Sequence, residues 1–280
     1  MTKIALYLLF FFSCCMDADS QVITDAISAR YLSLGVYSSE HNDVYATRAN
    51  PASLAQLKQP AIAIYSERRF LLPELNLFNA SLAYTTGSGN FALHVSYFGF
   101  NLSNQSKISL AYGRKINSKV DAGASFDFQQ ISQAGTYGKA SAITGSIGVL
   151  FHLTDKIHAG INVFNPIHAS FGKEKIERLP SQYNFGMGYD ASDKLFISSE
   201  LVKVEGQHVS VNACLQYQFI KSFFIRAGVA TLTASYFSGL GFVFKDFRLD
   251  IATSYHPQLG FSPGLLLLYE FGNNKKEGAE

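Results

Sequence analysis

Residues 60–271 follow one two-residue pattern, in short runs divided by turn residues. In 90–101, Phe91, Leu93, Val95 and Tyr97 fall on one side, with Ala92, His94 and Ser96 on the other. In 119–131, Val120, Ala122, Ala124, Phe126 and Phe128 alternate with Asp121, Gly123, Ser125, Asp127 and Gln129. In 209–219, Val209, Val211, Leu215, Tyr217 and Phe219 alternate with Ser210, Asn212, Gln216 and Gln218. A period of two puts successive side chains on opposite faces of a sheet. One face is greasy and aromatic, the other small or polar. Along most of an exported chain, this specifies the wall of an outer-membrane barrel.

Export is expected from residues 1–20. Lys3 supplies a charged start, residues 4–12 an apolar stretch, and Ala18, Asp19 and Ser20 a small-x-small cut before Gln21. A minority alternative is lipoprotein processing at Cys14 or Cys15. The apolar stretch is too short to span a bilayer, and nothing later approaches the roughly 18 apolar residues of a membrane helix. A membrane protein built from this chain must therefore be a barrel. Of three cysteines, two leave with the signal, so Cys214 alone can make neither a disulfide framework nor a metal cluster. A net charge of +2 without a clustered basic face gives no reason to expect a nucleic-acid partner.

The pattern predicts an all-β, antiparallel transmembrane barrel of about 14 strands. They are placed at 60–67, 76–86, 90–101, 105–113, 119–131, 139–153, 156–165, 181–190, 194–204, 208–219, 223–230, 233–244, 246–255 and 262–271. Connections sort by parity. Long ones are expected at 68–75, 102–105, 132–138, 166–180, 205–207, 231–232 and 256–261. Tight ones are expected at 87–89, 117–118, 154–155, 191–193, 221–222 and 245–246. Barrels have short periplasmic turns and longer outer loops, so both termini are placed in the periplasm. Aromatic residues near strand ends, such as Phe91, Tyr112, Tyr189, Tyr217, Tyr255 and Phe271, fit interfacial girdles, although strand propensity explains part of them. The polar tail 272–280 is expected to be disordered.

Residues 21–59 precede the wall, and from residue 28 on they do not alternate. Asn50, Pro51, Ala52, Ser53 and Leu54 open a short helix, with Asn50 as cap, Pro51 in the first turn and Pro60 beyond its end. This segment, with Ser28-Ala29-Arg30, Leu34-Gly35 and Asp43, resembles the amino-terminal signature of FadL-like outer-membrane barrels, and most of all their PorV/PorQ branch. Leu179-Pro180, Gly186-Met187-Gly188 and His256-Pro257-Gln258-Leu259-Gly260 resemble that branch too. The resemblance implies fourteen strands and an amino-terminal segment folded into the lumen as a hatch, with Asp43, Asn50, Pro51, Ala52 and Leu54 as its motif. It also implies either inward passage of hydrophobic molecules or an accessory role in type IX protein secretion. The short outer loops and small size depart from PorV.

No nucleophile–base pair and no metal-ligand spacing stands out, so no enzyme and no cofactor are expected. His94, Asp121, Asp127, His152, His158, Glu200, Arg226, Arg248 and Asp250 fall on the inner face, where a barrel is ordinarily polar. Inward glycines at 113, 123, 148, 160, 186, 188, 228 and 241 leave room for a plug or a ligand, or ease strand bending. Contacts with an outer partner are expected at Arg68 and Arg69, and at His168, Phe171, Lys173 and Arg178 in the longest loop. Two functions follow: an accessory barrel binding a secretion protein or cargo, or a passive path for hydrophobic small molecules. Outer-membrane lipid is a partner in both.

Overall fold

The computed structural model describes residues 34–134, 138–172 and 177–272. The expected signal, residues 21–33, Lys173 and the tail after Gly272 lie outside the described residues. The strands are β1 (Ala61–Arg68), β2 (Asn76–Thr86), β3 (Gly89–Phe100), β4 (Ser103–Asn117), β5 (Val120–Gln133), β6 (Gly138–His152), β7 (Ile157–Phe164), β8 (Ser170–Phe171), β9 (Glu177–Arg178), β10 (Gln182–Ser192), β11 (Leu195–Val204), β12 (Ser210–Ile220), β13 (Phe223–Ala230), β14 (Ser235–Phe244), β15 (Phe247–His256) and β16 (Gly260–Glu270). β8 and β9 form a separate ribbon, and the other fourteen make a closed antiparallel barrel. Closure joins β1 to β16, with Ala61 opposite Glu270 and Glu67 opposite Gly264.

Burial is inverted relative to a water-soluble β-protein. Apolar side chains such as Leu110, Phe126 and Ile147 are more than half exposed on the outside. Asp121, Asp127, Glu200, Arg226 and Asp250 are buried within. A large exposed apolar surface is unfavourable in water and favourable in lipid, whereas buried charges need partners. A closed wall with this polarity is the architecture of a transmembrane barrel. Tilted aromatic pairs sit near the tight-turn end, among them Phe91 with Tyr112 at 4.9 Å and Phe247 with Tyr269 at 4.6 Å between ring centroids.

At one end the connections are tight, at 87–88, 118–119, 153–156, 193–194, 221–222 and 245–246. At the other end lie 69–75 and 165–181, among shorter links. One expectation is corrected here. The connection expected at 102–105 is a two-residue turn at 101–102, because Ser103, Asn104 and Gln105 continue the ladder opposite Phe100, Gly99 and Phe98. The β8–β9 ribbon, inside the longest loop, was not expected from the sequence.

The rim has one deep step. β5 and β6 pair up to Gln133 opposite Gly138, but β7 stops at Phe164, opposite Ser146. Residues 138–145 of β6 thus stand above their neighbour. There Gly145 O accepts from Asn165 N (2.8 Å) and Ser141 O from Gly172 N (3.2 Å), so residues 165–172 of the following loop lie along the step.

Candidate functional site

The lumen is occupied by residues 34–57. Leu34, Val36, Tyr37, Val44, Tyr45, Ala52 and Leu54 pack on inward residues of the wall, including Ala61, Ala63, Tyr65, Ala92, Ala111 and Leu266. The helix expected at 50–58 is a 3-10 helix, Pro51–Gln56. Asn50 is its extended cap, and its Oδ1 accepts from Ala52 N at 3.0 Å. The same side chain donates through Nδ2 to Ile161 O at 3.1 Å and to Val149 O at 3.4 Å, so one residue both starts the helix and ties it to β6 and β7.

The wall makes room for this segment by omitting side chains. Asn90, Gly113, Gly123 and Gly148 are opposite one another in turn across β3, β4, β5 and β6. A Cβ at Gly113 or Gly123 would run into the backbone of Pro51, and one at Gly148 into Asn50 Oδ1. Asn90 completes the row by donating to Leu54 O at 2.6 Å and Leu57 O at 2.9 Å. Gly160 and Gly186 pair across β7 and β10, and a Cβ at Gly186 would overlap the Tyr37 ring. The inward glycines at 113, 123, 148, 160, 186 and 188 all abut the segment or its side chains, while Gly241 accommodates the Phe224 ring.

Polar contacts then hold the segment in register. Tyr37 donates its hydroxyl to Glu200 Oε1 at 2.6 Å. Burial, reinforced by the Glu200 charge, pushes the phenol well above its ordinary range, so it remains a donor. Ser38 Oγ donates to Asp190 Oδ1 at 2.6 Å, and Arg48 donates to Ser96 Oγ at 2.8 Å. Asp43 receives Arg248 at 2.5 Å and caps Ala46 N at 2.8 Å.

The expected lumen residues fall into three groups. Arg226, Arg248 and Asp250 join Asp43 in one cluster, with Arg248–Asp250 at 3.1 Å and Arg226–Asp250 at 3.5 Å. Gln216 continues it, accepting from Arg226 Nε at 2.6 Å and meeting His41 at 3.0 Å. His94 and Asp127 lie elsewhere, around a polar cavity of about 30 Å³ with Arg48, Lys107 and Ser109, room for ordered water. His94 contacts Ser81 at 2.9 Å and Thr47 at 3.4 Å, and Asp127 lies 3.5 Å from Lys107. His152 belongs to the third group, with Asp121, His158 and Asp190. Glu200 stands apart from all three under Tyr37. Among the described residues no trio of His, Cys, Asp or Glu is placed to hold a metal ion.

Of the outer-loop residues, Arg68, His168 and Arg178 are exposed. Arg69 and Phe171 turn inward instead. Arg69 lies over the Phe98 ring at 4.7 Å and 3.6 Å from Glu67. Phe171 packs with Ala142, Phe164 and Leu179 beneath the loop. Sequence reasoning missed Tyr37, Ser38, Asp190 and Asn165. Only Asp190 carried a signal, since its alternation on β10 already put it indoors.

No model of a known family matches the chain, and no curated protein matches it. Solved structures match its fold. The CymD monoaromatic hydrocarbon channel does so at 14% identity and TM-score 0.60, over 82% of this chain and 93% of that one. The Ralstonia pickettii toluene transporter TbuX matches at 12% and 0.60, over 82% and 94%. A Pseudomonas aeruginosa FadL homologue matches at 13% and 0.56, over 82% and 94%. The closed fourteen-strand barrel thus shares its fold with these structures. These neighbours do not bear on the PorV/PorQ branch.

Proposed function

We propose that this chain is an outer-membrane barrel, with its tight turns and both ends toward the periplasm, that passes hydrophobic small molecules inward without catalysis. Residues 34–57 act as its hatch. The observation that carries the reading is that the wall surrenders its own lumen volume, through the glycine row, to a separate segment held by apolar packing and by exchangeable polar bonds. A lumen meant to stay shut is more simply filled by the wall's own side chains. Support also comes from the fold neighbours, whose names are those of toluene and monoaromatic hydrocarbon transporters.

A deletion strain should take up a hydrophobic tracer more slowly, and the intact gene should restore the rate. Asp43→Asn or Pro51→Gly, both loosening the hatch, should change the restored rate by severalfold. Equal uptake in all these strains would defeat the reading. The accessory-barrel alternative draws on the sequence likeness at both ends of the chain. It predicts that crosslinked, detergent-solubilised outer membranes yield a secretion component or its cargo with this barrel, and that tracer uptake is unaffected by deletion.

A further inference from the structure

Successive inward residues of β4 pass through three levels of the lumen. Ser109 and Ala111 line the polar cavity of about 30 Å³ on the loop side. Gly113 belongs to the glycine row under the helix Pro51–Gln56. Lys115 lines a second chamber of about 500 Å³ at the tight-turn end, together with Lys58, Arg114, Thr86 and Ser88. Neither chamber is enclosed. The short helix therefore stands between two polar chambers that share a wall.

That wall stays hydrophilic at the level the helix covers. There β3, β4, β5 and β6 present only Asn90 and three glycines, so lifting the helix bares an amide and backbone. On the loop side of the row the same strands present Ser109, Ser125, Asp127 and Ser146. Asp127 is 1% exposed and lies 3.5 Å from Lys107, yet neither carboxylate oxygen has a hydrogen-bonding partner in the protein. A buried carboxylate so placed is satisfied by water. Such a surface gives a hydrated solute partners that a hydrocarbon cannot use.

Charge then sets the class of solute. The loop-side chamber carries Arg48 and Lys107 against Asp127, with His94 counted as uncharged. The turn-side chamber carries Lys58, Arg114 and Lys115. The carboxylate that faces it is Asp121, opposite Lys115 in register and engaged by His152 at 2.8 Å. Two cations on the loop side and three on the turn side thus meet one carboxylate each. A cleft with a surplus of one sign concentrates the opposite ion, and Arg and Lys linings are how pores favour anions. We propose that β3–β6 wall a second, hydrophilic passage, closed at the glycine row by Pro51–Gln56, that conducts small hydrated anions when this helix lifts. The passage uses the same hatch as the hydrophobic path but not the same cargo.

Purified full-length chain in planar lipid bilayers, under a potassium chloride gradient, tests this. Asn50→Ala removes the helix cap and its ties to Val149 and Ile161, so it should raise conductance severalfold over wild type. The reversal potential should take the sign of chloride permeation, and Lys115→Glu should shift it toward potassium. Ser125→Cys should let a water-soluble thiol reagent reduce the current severalfold, with the parent chain as control. If Asn50→Ala does not fold, the two wall substitutions are read on the rarer openings of the otherwise wild-type barrel. No current from any form, equal conductance in wild type and folded Asn50→Ala, potassium-selective current, or current indifferent to labelling in Ser125→Cys would each overturn the passage. Tracer uptake that persists without any current removes this passage and leaves the hydrophobic path standing. Anion current without tracer uptake does the reverse.

Discussion

At Gly148 a single methyl group decides whether the lumen segment can seat. An added Cβ would overlap Asn50 Oδ1, the atom that caps Pro51–Gln56. Gly148→Ala must displace a side chain that makes three hydrogen bonds, at a cost of about 1–3 kcal/mol. The expected outcome is loss of exchange protection over residues 50–57, with the strands β4, β5 and β6 still protected. Unchanged protection there would mean that Asn50 is not the seat's anchor. That Gly148 faces inward was legible from its alternation alone. That it lines up with Gly113 and Gly123 was not, because the row depends on the summed register of two hairpins. The His152–His158 pair was closer to legible. Both residues were placed on the inner face, and a tight turn at 153–156 brings them opposite each other. Tyr37 left no such trace, since residues 34–57 have no repeating period and meet partners as distant as Glu200.

Among the elements, the loop 165–181 depends on Asn165. Its side chain receives Thr144 Oγ1 at 2.9 Å and Ala169 N at 2.9 Å, and donates to Leu179 O at 2.6 Å. Its carbonyl accepts from Ser181 Oγ at 2.8 Å, which joins the far end of the loop to the near end. Its backbone is left-handed, φ 53, a conformation that asparagine tolerates better than most residues. Asn165→Gly keeps the backbone and loses the side-chain bonds, whereas Asn165→Ala loses the bonds and adds about 1 kcal/mol of strain. Both variants should expose 166–180 to added protease, the alanine variant severalfold faster. Equal resistance in wild type and both variants would show that the loop is held elsewhere. The strand elements themselves were readable to within a few residues, because alternation is a local signal. The connection at 101–102 and the β8–β9 ribbon were not, because both depend on how far neighbouring strands continue to pair.

For the whole molecule, the decisive property is a ring of strands with lipid-compatible side chains outside and charges inside. Below the step beside β6 such a ring has no free strand edge, so it opens only when many ladder hydrogen bonds break together. The proposed hatch presupposes it. The most direct test is electrophoretic. Detergent-extracted chain, loaded in dodecyl sulfate without heating, should keep its barrel and migrate differently from a boiled sample. A chain that stays dispersed in plain buffer and gives one identical band with or without boiling would contradict a closed transmembrane barrel.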